Sequence, residues 1–262
     1  MSTCCLPGLV PSPWGTGTRI FPRFRDWPCF KLAGMNSAIL VAAGKGTRMG
    51  GGVDKLFLEV AGRPLVAHTW QRFNDSPSVN EIVVVVRRGM EPAFADLAAR
   101  FEWQKPFRIV VGGAQRQDSV WHGLEAISPV AKIVVIQDAA RPCTAEELIA
   151  ATVKNAEEIG AAVAAQPVTD TIKESGDGWL VERTLDRARL WSVQTPQTFR
   201  VEVIRRALEE ARRRKLVLTD DTAACELIGQ PVRLVSFVAP NPKVTVPGDV
   251  ALVESLLRNR GV

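Results

Sequence analysis

Apolar residues cluster along the chain in short, nearly unbroken runs: Ala38 to Ala42, Ile82 to Val86, Arg108 to Val111, Ile133 to Ile136 and Ala161 to Ala165. None alternates apolar with polar, so each reads as a strand buried on both faces. Helical spacing fills the intervals. Phe94, Leu97, Ala98 and Phe101 fall at i, i+3, i+4 and i+7, and Val120, Leu124 and Ile127 trace a similar stripe. Further on, Ile204, Ala207, Leu208 and Ala211 mark another helix, Val232 to Phe237 another strand, and Val250, Val253 and Leu257 a last helix. Strands of this kind alternating with amphipathic helices predict an α/β fold, a Rossmann-like, mostly parallel sheet sandwiched by helices.

Two local signals refine the picture. Thr144 and Glu147 have the T-x-x-E spacing of a capping box, opening a helix that Gly160 is placed to close. Thr171 to Ser175 and Trp179 to Thr184 flank Gly176, Asp177 and Gly178, which is hairpin-turn chemistry, and predict a protruding arm over about 168–188. An isolated two-stranded hairpin is marginal in water. The arm is therefore expected to pack on a second subunit, which makes a homodimer the natural assembly.

Residues 1–34 show neither periodicity. They hold Pro7, Pro11, Pro13, Pro22 and Pro28, and Met35 stands directly before the first convincing strand. The segment reads as an irregular leader, disordered or lying upstream of a true start at Met35, with an organelle transit peptide as the rival reading. Residues 35–262 form one domain that includes the arm.

Composition changes this outline little. The net charge is +5 over 262 residues, but Arg19, Arg23, Arg25 and Lys31 against Asp26 place most of that excess in the leader. Basicity so placed does not indicate a nucleic-acid partner. No apolar run reaches the roughly 18 residues of a membrane span. Five cysteines without a C-x-x-C or metal-ligand spacing suggest reduced thiols in the cytoplasm, with Cys143 and Cys225 as small buried residues.

The chemistry is concentrated where the first strand ends. Ala42, Ala43, Gly44, Lys45, Gly46, Thr47, Arg48 and Met49 lead through Gly50 to Gly52 into Asp54 and Lys55. Ligands of parallel α/β sheets bind beyond the carboxyl ends of strands. Small residues there let backbone N–H groups approach phosphate oxygens, and the cations neutralise them. The loop lacks the Gly-Lys-Ser/Thr ending of a P-loop and the third glycine of the dinucleotide fingerprint. It reads as a polyphosphate cradle of another type.

The pattern A-A-G-x-G-x-R with a lysine seven residues on is joined by Gly112-Gly113-Ala114-Gln115-Arg116-Gln117-Asp118-Ser119-Val120, Asp138-Ala139-Ala140-Arg141-Pro142, Asp170-Thr171, Asp186-Arg187, Gln194-Thr195-Pro196-Gln197, Leu218-Thr219-Asp220-Asp221 and Asn241-Pro242-Lys243-Val244-Thr245. In these blocks, from Met35 onward, the chain resembles the 2-C-methyl-D-erythritol 4-phosphate cytidylyltransferases. The resemblance implies a fold of the nucleotidyltransferase type and CTP and a small sugar or polyol phosphate as substrates. It implies that Arg48 and Lys55 stabilise charge on the α-phosphate, while Ala42, Ala43, Gly44 and Gly46 contact the nucleotide. Gly113 and Ser119 match positions around cytosine and ribose, and Asp138 one near the ribose and the incoming substrate. Arg141, Thr171, Thr195 and Thr219 match the sugar-phosphate pocket. Arg187 and Lys243 match the pair that positions the substrate phosphate, with Thr171 and Arg187 reaching a partner's site from the arm.

The implied reaction is in-line attack of a phosphate oxygen on the α-phosphorus of CTP, with pyrophosphate leaving. A phosphate monoester has its second pKa near 6, so the nucleophile needs no general base at neutral pH. That suits a chain whose two histidines, His68 and His122, fall in predicted helices as packing or surface residues. Mg²⁺ is expected on the triphosphate oxygens, because no cluster of Asp and Glu suggests a protein cage. The chain departs from the pattern at Val41, where proline is common, at Ala114, where an acidic residue often lies by the base, and in the run Gly50 to Gly52. A cytidylyltransferase for ribitol 5-phosphate or a similar polyol phosphate, and a nucleotide-binding regulator without catalysis, remain as alternative readings.

Overall fold

The computed structural model describes residues 34–44 and 54–259, so the leader up to residue 33, Gly46, Arg48 and the run Gly50 to Gly52 lie outside the described residues. In chain order, β1 (Met35–Ala42) precedes a small ladder of β2 (Glu59–Val60) and β3 (Arg63–Pro64). Then follow α1 (Leu65–Asp75), β4 (Glu81–Val86), α2 (Glu91–Phe101), β5 (Phe107–Val111), α3 (Arg116–Ala126), β6 (Ala131–Asp138), α4 (Glu146–Ile159) and β7 (Ala161–Pro167). A hairpin of β8 (Lys173–Glu174) and β9 (Arg183–Thr184) leads to β10 (Trp191–Arg200), α5 (Val201–Arg213), α6 (Thr222–Glu226), β11 (Arg233–Val235) and α7 (Gly248–Asn259).

Seven of these strands form one sheet in the order β11-β7-β10-β6-β1-β4-β5. The ladders are parallel except where β10 pairs antiparallel with both β6 and β7. Period-2 alternation splits the strand residues between two cores. Ala38, Leu40, Ile82 and Val84 pack with α1, α2, α4 and α7, while Ile39, Val83 and Val85 pack with α3, α5 and α6. A parallel sheet needs cover on both faces, and β4 is buried at all six positions because it has it. The fold is the expected α/β sandwich.

Differences from the sequence reading have physical causes. The helix after Thr144 begins at Glu146 without a side-chain cap. Thr144 has better partners: its hydroxyl lies 3.0 Å from Asn241 Oδ1 and 3.1 Å from the Arg141 carbonyl, and it accepts from the Gln137 amide at 2.9 Å. A buried hydroxyl shared among three tertiary partners is not available to a helix end. The expected closure at Gly160 does occur, at φ +100°, a conformation open to glycine at little steric cost. The strand expected over Val232 to Phe237 is paired only at Arg233–Val235.

The ten-residue β10 has no apolar run to announce it, and Pro196 argues against a central strand. It is accommodated by a register shift between Val193 and Gln197. At that irregularity Thr195 Oγ1 accepts from the Asp138 backbone N–H at 3.1 Å, replacing a ladder bond with a side chain.

Candidate functional site

The carboxyl ends of β1, β4, β5 and β6 lie in register. Val41 pairs with Asp138, Ala42 with Val86, and Val86 with Val111. The chain proceeds outward from β1 to β4 and β5 and then crosses to β6 on the other side, so the boundary between β1 and β6 is the switch point where parallel sheets bind ligands. A cleft of about 980 Å³ opens there.

Its floor is backbone and small side chains. Ala42, Ala43 and Gly44 line it from the end of β1, Gly112 and Gly113 from the end of β5, and Ser119 from the first turns of α3. Ser119 Oγ accepts from the Gly113 N–H and lies within donating distance of the Gln115 carbonyl, each at 3.2 Å. A Cβ on Gly112 would stand 2.6 Å from both the Ala43 Cβ and Ser119 Oγ, so only glycine lets these walls meet. Asp118 accepts from the Gln115 N–H at 3.1 Å and fixes the start of α3.

Charge surrounds that floor. Lys55, Arg87, Arg88, Arg116 and Lys243 line the cleft, and among its described residues the one carboxylate is Asp138. Such an excess of cations in a concave site is the complement of a polyphosphate. Lys55 opens a 3-10 turn capped by Asp54, whose Oδ1 accepts from the Leu56 N–H at 3.1 Å while Oδ2 pairs with Arg87 at 3.2 Å. The Lys55 ammonium donates to the Val244 carbonyl at 2.9 Å.

The segment Asn241 to Val244 is itself pinned from beneath. Asn241 Nδ2 donates to the Thr195 carbonyl at 2.8 Å, the Asn241 carbonyl accepts from Arg141 at 2.7 Å, and the Val244 N–H donates to the Ala140 carbonyl at 2.9 Å. Lys243 is thereby held over the end of β6, with its ammonium 2.8 Å from Asp138 Oδ2. Burial works to raise the Asp138 pKa, but Lys243, Arg116 and Arg141 together outweigh it and hold the carboxyl below its ordinary value.

The cleft thus gathers Ala42, Ala43, Gly44, Lys55, Gly113, Ser119, Asp138 and Lys243. Arg141 and Thr195 lie just behind Asp138 and are buried, so each touches the site through that residue. Thr171, Arg187 and Thr219 do not line it. Thr171 and Arg187 are exposed on the arm, where the Arg187 guanidinium donates to the Thr169 carbonyl at 2.5 Å, and Thr219 is exposed before α6. The expected hairpin is present, although its ladder is only two residues long on each side. Asp177 organises the turn by accepting from the N–H groups of Trp179 and Leu180 at 2.8 Å each.

Sequence reasoning passed over Arg87, Arg88, Arg116 and His122 as site residues. His122 lies on the face of α3 that looks into the cleft, three residues beyond Ser119, with Nδ1 2.9 Å from the Val111 carbonyl. Its i+3 spacing from Ser119, which sets both on one helix face, is the signal that could have marked it. No group of three or more His, Cys, Asp or Glu side chains placed to hold a metal occurs among the described residues. No helix among them is long and apolar enough to cross a membrane.

Residues 36–259 match the family described as 2-C-methyl-D-erythritol 4-phosphate cytidylyltransferase. A protein of that name from Pelotomaculum thermopropionicum is 42% identical over 225 residues, spanning 86% of this chain and 94% of its own length. One from Geobacillus kaustophilus is 41% identical over 223 residues, or 85% of this chain and 97% of its own. Among solved structures, 2-C-methyl-D-erythritol 4-phosphate cytidylyltransferase from Thermus thermophilus superposes with a TM-score of 0.69 at 34% identity, covering 86% of this chain and all of its own. The 4-diphosphocytidyl-2C-methyl-D-erythritol synthase from Anaerococcus prevotii reaches a TM-score of 0.76 at 28% identity, covering 86% and 96%.

Proposed function

The chain belongs to the 2-C-methyl-D-erythritol 4-phosphate cytidylyltransferase family, and on that premise we propose which of its residues carry the reaction. The enzyme transfers CMP from CTP to 2-C-methyl-D-erythritol 4-phosphate and releases pyrophosphate, a step of isoprenoid biosynthesis. The work required is to hold two anions together and to disperse charge as the α-phosphorus is attacked.

The cations converging on the small-residue floor at the switch point carry this assignment. The base and ribose lie along Gly113 and Ser119, the triphosphate along Ala42, Ala43 and Gly44, and the Lys55 ammonium beside the α-phosphate; the family resemblance adds Arg48 to that charge and Gly46 to the nucleotide contacts, both outside the described residues. Lys243 meets the phosphate of the sugar, and Asp138 faces the ribose and the incoming substrate. Arg141 and Thr195 support that end of the cleft. Arg187 and Thr171 do not line the cleft of their own chain, and a second copy of the chain completes the sugar-phosphate pocket with these two residues of its arm; Thr219, exposed before α6, belongs to the same pocket by the family resemblance. Trp179, Leu180 and Val181 at the arm's tip are 90%, 73% and 62% exposed, apolar surface suited to burial in a homodimer.

Mg²⁺ fits this site as a passenger of the nucleotide. The one carboxylate among the described lining residues, Asp138, is already engaged by Lys243, so a bound ion would take its ligands from phosphate oxygens and water. When bound, it neutralises the triphosphate. A cytoplasmic location goes with this reading, since five cysteines without a C-x-x-C or metal-ligand spacing suit a reducing compartment.

Pyrophosphate release from CTP and Mg²⁺ tests the assignment, with 2-C-methyl-D-erythritol 4-phosphate and ribitol 5-phosphate as competing acceptors. Release with the first, lost on chelation by EDTA and restored by Mg²⁺, is expected. Release with ribitol 5-phosphate alone would replace the acceptor, and no release with either would favour a regulator.

A further inference from the structure

Asp138 shares its carboxylate among three cations, and they divide it unequally. Lys243 Nζ at 2.8 Å and Arg141 Nε at 3.6 Å both address Oδ2. Arg116 Nε, at 3.7 Å, addresses Oδ1 from the other side. Arg116 also reaches back to Asp221, Nη1 to Oδ2 at 2.7 Å, and that second carboxylate is buried, with 1% of its side chain exposed.

Lys243 cannot serve two anions equally. A substrate phosphate draws the ammonium away from the carboxylate it holds at 2.8 Å, and a buried carboxylate whose nearest counter-ion recedes is costly unless another cation closes on it. Arg141 already faces Oδ2 with its Nε at 3.6 Å, but its Nη1 is held by the Asn241 carbonyl at 2.7 Å and it leaves Oδ1 unserved. Arg116 lines the cleft, is 29% exposed at its side chain, and stands just outside hydrogen-bond distance of an oxygen that Lys243 does not use. Its fork can hold two carboxylates at once.

We propose that Arg116 is a positioning residue for Lys243: it takes over the Asp138 carboxylate as Lys243 transfers to the substrate phosphate, and the buried Asp221 anchors it where it can do so. This rests on the reading that Lys243 meets the sugar phosphate. It gives α3 a part in binding the acceptor as well as the nucleotide.

Steady-state kinetics of the full chain with CTP, 2-C-methyl-D-erythritol 4-phosphate and Mg²⁺ tests it. Arg116→Gln is combined with Asp221→Asn so that no buried carboxylate is left unpaired. The KM for the sugar phosphate is expected to rise on the order of 10-fold, with the KM for CTP changed by less than about threefold. Arg116→Lys, which keeps a charge beside Asp221 but has no fork, is expected to move the sugar-phosphate KM in the same direction and carries the test if the paired variant does not fold. In a Lys243→Ala background either Arg116 change should add little, because the ammonium it makes available is gone. A normal sugar-phosphate KM, an equal rise in the CTP KM, or a full additional effect in the Lys243→Ala background would overturn the proposal. If Lys243→Ala itself left the sugar-phosphate KM unchanged, the underlying reading would fail instead.

Discussion

The Lys55 ammonium donates to the backbone carbonyl of Val244 at 2.9 Å, joining two residues that lie 189 positions apart in the chain. One follows the nucleotide loop and the other follows Lys243. The bond fastens the two cationic segments of the cleft to each other, so the ends assigned to nucleotide and acceptor share a fixed point.

Lys55→Ala is expected to lower turnover by about two to four orders of magnitude, the range for losing an organised cationic stabiliser. Pyrophosphate release under saturating substrates measures it. A folded variant with near-normal kcat would remove Lys55 from the chemistry.

Gly112→Ala places a methyl group 2.6 Å from both the Ala43 Cβ and Ser119 Oγ. The Ala43 Cβ moves only with its backbone, so the floor must open. The KM for CTP is expected to rise on the order of 10-fold, since misplacement of about 1 Å disrupts an aligned site. Calorimetric titration with CTP gives an independent reading, and unchanged affinity would show that the two walls yield freely.

Trp179→Asp together with Val181→Asp puts charge on the arm's tip without touching the sheet. Light scattering is expected to show a shift from dimer to monomer, with sugar-phosphate turnover falling alongside and thermal stability of the sheet retained. A dimer of unchanged affinity would place the subunit contact elsewhere.

Burial foremost, followed by the negative charges of Asp221 and Asp220, pushes the Cys225 thiol up to about 12. At pH 8 about one in ten thousand such groups is a thiolate. Peptide mass mapping after iodoacetamide is expected to find Cys225, and the fully buried Cys143, unmodified until denaturant is added. Prompt labelling of either in the native enzyme would contradict that burial.

Much of the fold is legible in the sequence because a strand covered on both faces writes itself as an apolar run. β1, β4 and β7 do so without interruption. β10 does not, because its polar residues are spent inward. Thr195 accepts from Asp138, and Gln197 accepts from the Asp221 N–H at 3.0 Å and donates to Asp220 at 3.0 Å. Propensity cannot foresee partners so distant in sequence. The same limit explains Thr144, whose capping spacing lost to Asn241 and Gln137, and Arg116, whose meaning depends on Asp138 and Asp221. The floor residues were readable for the opposite reason: a local run of small residues after a strand has few other uses.

The reversed strand β10 decides where the arm emerges. β7 runs toward the rim that carries the cleft and β10 starts from that same rim, so everything between them, including β8 and β9, projects there. Had β10 run parallel, the intervening chain would have had to cross back over a face, and any projection would open at the far rim. One change of direction therefore makes the arm a modular appendage: its length and tip can vary without disturbing the layers below, while whatever it carries is still delivered to the working edge.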